Sequence, residues 1–121
     1  PEYRIASVAN SAAASLADRI FARAEQQQFA SRDDAIDALI AGDADVYLEQ
    51  EPVPTFLEIE FPRQIDVPVN QPLVPTPNAF AVMKGDPDFL AFLNAWIVAR
   101  ESDTWLGTTT QYWFRSLAWR D

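Results

Sequence analysis

A chain of 121 residues carries enough apolar material for one ordinary domain core and not for two independent ones. Its nine Lys and Arg against eighteen Asp and Glu leave a net charge of −9, which repels phosphate backbones and anionic headgroups and argues against nucleic acid as a partner. With neither Cys nor His present, disulfides, thiol chemistry, zinc sites and His-dependent dyads or triads cannot be assembled, and carboxylates are the only strong general bases near neutral pH.

The opening Pro1-Glu2-Tyr3 has neither an initiating Met nor a signal peptide's charged and apolar regions, and reads as a cut start. No run approaches the ~20 apolar residues of a membrane span. The run "RIASVA" (4–9) predicts a strand, and "NSAAASLADRIFARA" (10–24), with Leu16, Ile20 and Phe21 at helical spacing, a helix. A brief second strand is expected over 26–31. Ser31 with Asp34 three residues later is a capping-box-like start for the helix "RDDAIDALIAG", stopped by Gly42. "DVYLEQ" (45–50) predicts a third strand, its successive apolar residues suiting a parallel sheet covered on both faces. There follow a short helix over 54–61, a strand over 63–69, a proline-rich linker over 70–78 and a strand over 79–85. Asp86 and Pro87 open a helix through Arg100, and a last helix is expected over about 102–116.

Alternating strands and helices imply right-handed βαβ crossovers and an α/β fold with a mostly parallel sheet, which binds ligands at the carboxyl ends of its strands. Two loops meet that description. After the first strand, Asn10, Ser11 and Ala12 open a helix whose free N–H groups and dipole favour an anion; these residue types are equally the commonest helix caps. After the third strand come Glu49, Gln50 and Glu51, either a ligand-facing cluster or a solvated edge with Glu51 in the first turn of the next helix. No metal-ligand set and no cofactor motif is present.

Taken together, "RIASVANSAAASLADRIF", "SRDDAIDALIAGDADVYLEQEPV", "NAFAVMKGDPDFLAFLNAWI" and "WLGTTTQYWF" resemble, in order and spacing, the second lobe and C-terminal tail of the bacterial extracellular solute-binding proteins of family 3, the amino-acid-type periplasmic receptors of ABC transporters. The resemblance implies one lobe of a type II periplasmic-binding, Venus-flytrap fold. Residues 1–78 would be the second α/β lobe, and 79–121 a hinge-return strand and C-terminal helices that pack on a first lobe absent from this chain. It also implies that Asn10 and Ser11 stand at the turn that hydrogen-bonds the ligand's carboxylate, with Asn in place of the family's usual Gly. Gln50 stands where the family carries the acid that pairs with the ligand's ammonium. An amide cannot neutralise that cation, so Glu49 or Glu51 would have to turn inward for a free amino acid to be well served.

The expected function is therefore capture of a small polar or zwitterionic, amino-acid-like solute in the periplasm for delivery to an ABC transporter permease, without catalysis and without cofactor. Alternatives are a ligand-sensing module of a signalling receptor, or an enzyme resembling the dehydratases of prephenate and arogenate, with Glu49 and Glu51 as candidate acids. Eight of the fifteen aromatics fall in residues 87–121. Ordinary packing on the lobe's own sheet would account for them, as would cover by the first lobe; for the chain as it stands, a homodimer formed through the C-terminal helices is a further expectation.

Overall fold

In the computed structural model, which describes residues 3–69, 71–75, 77–116 and 119, β1 spans Arg4–Val8 and is the middle strand of a three-stranded parallel sheet of order β2-β1-β3. β2 is Glu25–Phe29 and β3 is Val46–Tyr47. Arg4 is paired with Glu25 and Val8 with Phe29 on one side of β1, and Ile5 with Val46 and Ala6 with Tyr47 on the other. The central position explains the sequence of β1: Ile5, Ala6 and Ser7 are all buried, as expected of a strand covered on both faces.

Helix α1 (Ala12–Ile20) connects β1 to β2, and α2 (Arg32–Ala41) connects β2 to β3 on the far side of β1. With right-handed crossovers in opposite directions, the two helices fall on opposite faces of the sheet. The α2 face is a core of small side chains: Ala6, Ala35, Ala38 and Ala44 are buried together, with Phe29 and Tyr47 packed against them. α1 contributes Ala13, Ala14 and Ala17 to the interior. Alanine at these positions permits close approach of helix to sheet at little side-chain entropy cost.

Local signals start and stop the helices. The Ser11 hydroxyl accepts from the Ala14 N–H at 3.0 Å. At α2 the Ser31 hydroxyl accepts from the Asp34 N–H at 3.2 Å and donates to Asp34 Oδ2 at 2.6 Å. Gly42, at φ 81°, closes α2 in the left-handed region that glycine adopts without a Cβ penalty, its N–H reaching the carbonyls of Ala38 and Leu39. α3 (Val53–Glu60) follows β3 and buries Thr55 and Leu57. The amino ends of β1 and β3 are clamped by Arg4, whose guanidinium donates to both carboxylate oxygens of Asp45, at 2.8 and 3.1 Å, and to the Gly42 carbonyl at 2.8 Å.

The strand expected over 63–69 is not formed. After a turn at Pro62–Gln64 the chain is irregular, and the Val67 N–H donates to Glu58 Oε1 at 3.3 Å instead of joining the sheet. Pro68 has no N–H to give to a ladder.

The chain divides into two compact units, Pro1–Pro68 and Val69–Asp121. In the second unit, the strand expected over 79–85 is likewise absent: Ala79–Met83 joins no ladder and is exposed. An apolar, β-branched run becomes a strand only where a neighbouring ladder satisfies its backbone. Of the linker over 70–78, Asn70 and Thr76 lie outside the described residues. α4 (Pro87–Ser102) starts where Asp86 Oδ1 accepts from the Phe89 N–H at 2.9 Å. The last helix divides in two: α5 covers Trp105–Thr110, and Gln111–Ser116 continues as a π-helical segment. Trp96 and Trp105 meet edge to face at 5.6 Å, and the Trp119 indole donates to the Trp113 carbonyl at 2.7 Å. No residue of α4, α5 or the π-helical segment is buried. Among the described residues no helix is long and apolar enough to cross a membrane.

Candidate functional site

The order β2-β1-β3 places a change of winding direction between β1 and β3, and in open α/β sheets such a point opens a crevice beside the carboxyl ends of the two strands. The loops leaving that edge are residues 9–11 after β1 and 48–52 after β3. The last ladder bond before the loops diverge runs from the Leu48 N–H to the Ala6 carbonyl, at 2.9 Å. All six residues singled out in the sequence sit on this edge.

Ala9 and Asn10 form a turn closed by the Ser11 N–H on the Val8 carbonyl at 3.2 Å. Asn10 has φ 59°, a conformation that Asn tolerates better than most side chains, and it is exposed. Ser11 is the N-cap of α1 and Ala12, exposed, its first residue. Because the Ser11 N–H is used in the turn, the Ala14 N–H in the cap, and the first carbonyl of the helix by Ser15, the N–H groups of Ala12 and Ala13 are the ones left over at this helix start.

The cluster after β3 divides into three differently employed side chains. Glu49 is nearly enclosed, with 10 % of its side chain exposed. Its Oε2 accepts from the Tyr47 hydroxyl at 2.8 Å and lies 3.6 Å from Arg32 Nε, and its Oε1 accepts from the Gln50 N–H at 2.9 Å. This knot ties the end of β3 to the start of α2. Burial, and then the Glu49 carboxylate beside it, push the Tyr47 phenol well above its ordinary range. Glu51 precedes α3 and accepts from the Thr55 hydroxyl at 2.9 Å, one helical turn further on. Gln50 is exposed, and among the described residues its side-chain amide makes no hydrogen bond.

Sequence reasoning did not find Tyr47, Arg32 and Thr55 as partners. The Glu51 and Thr55 pair has a readable signal, the spacing of four across a helix start. Arg32 and Glu49 lie seventeen positions apart in different elements, and nothing local announces them.

Among the described residues no group of three or more Asp or Glu side chains is gathered to hold a metal ion. In the second unit, an open groove of about 400 Å³ is lined by Val82, Met83, Lys84, Asp86 and Leu90 among others. Of its two charged groups Asp86 is already the cap of α4, so it has no convergent polar set comparable with the edge of β1 and β3. No protein-family model matches the chain, and a search of curated proteins returns no match.

Proposed function

We propose that residues 1–68 form the second lobe of a Venus-flytrap solute-binding protein, which holds a small polar solute against the carboxyl edge of its sheet and delivers it to an ABC transporter permease in the periplasm. The observation that supports this reading most directly is the juxtaposition, at a change in winding direction, of the α1 start (Asn10, Ser11, Ala12) and the loop Glu49-Gln50-Glu51. Two neighbouring parallel strands present both at one edge. A hinged receptor needs such an edge, preformed and rimmed with hydrogen-bonding groups, so that a facing lobe can complete the enclosure. The second unit is consistent with that arrangement: Phe89, Leu90, Phe92 and Val98 of α4 are exposed, large apolar side chains distributed around the helix that another folded unit, either the first lobe or a second copy, would cover.

The test is calorimetry on the full-length protein with amino acids, sugars, polyols and small carboxamides. One class should bind and raise the melting temperature, since a ligand at a hundred times its Kd adds about 2.7 kcal/mol of stability. Asn10→Gly, which removes the amide and keeps the left-handed turn accessible, combined with Gln50→Ala should abolish that heat while leaving the circular dichroism spectrum intact. If no class binds, or if the double variant binds as before, the reading fails.

A further inference from the structure

The second unit lacks what the first one has, an interior. Among its described residues none is buried, although fifteen of the twenty-one exposed large apolar side chains of the described chain belong to it. Its charges stand apart from those side chains. Residues 69–83, 89–99 and 104–114 contain no Asp, Glu, Lys or Arg, and all of the fifteen except Trp119 fall in these three runs. Of the charges between the runs, Asp86 is engaged as the cap of α4, and Arg100 and Asp103 pair at 2.7 Å. The apolar runs can therefore be dried without stranding a charge within them.

Four of these side chains are neighbours. Phe80, Val82, Met83 and Leu90 line two open grooves, of about 400 and 170 Å³, which share Val82 and Leu90. We infer that this face is a self-docking surface, on which a second copy of the chain seats the same face about a two-fold axis and so gives the second unit its interior. The area suffices for it. Eight aromatics of the unit are 41–64 % exposed and present roughly 800 Å² at about 200 Å² a side chain, before the exposed aliphatic residues are added, and a stable interface takes about 800 Å² from each partner. Charge favours a copy paired through this unit. Residues 69–121 hold five acids and four bases, a net −1, against thirteen and five, a net −8, in residues 1–68, so two second units meet with little repulsion where two first units would not. Met83, 89 % exposed, is unbranched and adapts to the irregular groove of the other copy. Ala95 lies five positions from Leu90, about 140° round α4, and stays outside the contact. The inference concerns the second unit alone and stands whether or not the first is a solute lobe.

Size exclusion coupled to light scattering, on the 121-residue chain over a tenfold range of concentration, should give twice the 13.6 kDa of one chain and no larger species. Phe80→Glu combined with Met83→Glu, at exposed positions outside any helix, sets like charges across the contact. It should raise the dissociation constant of the dimer by roughly tenfold or more while the circular dichroism spectrum stays as it was. Ala95→Leu should leave the dimer intact. A monomeric mass at every concentration, a mass that climbs past the dimer, or a dimer indifferent to the double variant overturns the inference. None of those results touches the solute-binding reading, which is measured separately by its heat.

Discussion

Helices α2 and α4 start alike and end in opposite surroundings. Each has a short polar cap whose side-chain oxygen takes the N–H three residues on, Ser31 in one and Asp86 in the other, and each has acids in its first turn, where the dipole favours them. Yet α2 buries Ala35 and Ala38 against the sheet, whereas α4, richer in large apolar residues, buries none. The small residues make a core because the topology brings a second layer to them. The large ones do not, because hydrophobicity without a facing surface is only an unmet demand for one.

The largest test of that contrast is a pair of identical substitutions. Ala35→Leu inserts three heavy atoms where the side chain is fully enclosed, and should cost about 1–3 kcal/mol in urea denaturation followed by circular dichroism. Ala95→Leu, on exposed α4, should change stability by no more than about 0.5 kcal/mol. An equal loss at both would mean that α4 is as tightly packed as α2.

The caps should behave more alike. Ser31→Ala removes the acceptor for the Asp34 N–H and should cost about 1 kcal/mol. Asp86→Ala removes the equivalent bond in α4, and there the expected reading is local: faster amide hydrogen exchange at Phe89 and Leu90, with the α/β sheet unchanged. Slower exchange at either amide would refute the cap's role.

The smallest effect is the pH response of the Arg4 clamp. The hydrogen bonds from Arg4 hold the Asp45 carboxyl at about 2, against its ordinary 3.8. Because the folded value is the lower one, the stabilisation is present in full above about pH 4 and is lost as pH falls toward 2. Asp45 is solvent-exposed, so the slope should be shallow. Asp45→Asn should flatten this part of the acid limb. All four tryptophans lie in residues 96–119, so the effect is read by far-ultraviolet circular dichroism, to which the first unit's own helices contribute, and not by tryptophan fluorescence. A limb of unchanged slope would show that other carboxylates account for it.

Much of the fold was legible in the chain because its helices are announced locally. Ser11, Ser31, Gly42 and the Asp86-Pro87 pair mark their ends within a few residues, and capping is a contact between near neighbours. The three strands of the first unit were legible by their alternation with those helices, although β3 shrank to Val46 and Tyr47. The runs over 63–69 and 79–85 have strand-like composition and form no strand. Strand identity belongs to a pair, and nothing in either run states whether a partner is within reach. At the candidate site, the positions of Asn10, Ser11, Ala12, Glu49, Gln50 and Glu51 on one sheet edge followed from the expectation of parallel strands. The division of labour among them did not, since it depends on Tyr47, Arg32 and Thr55.

What the amino-acid sequence by itself determined is therefore what contacts between near neighbours determine: where the helices begin and end, which short runs can enter a parallel sheet, and the surplus of acid in the first sixty-eight residues. Only the tertiary structure decided which apolar residues became a core, which strand-like runs found a ladder, and which of two adjacent acids was spent on a tyrosine and an arginine. Those outcomes depend on groups brought together by chain crossovers, whose energies are realised only when a second surface arrives to exclude water from the first.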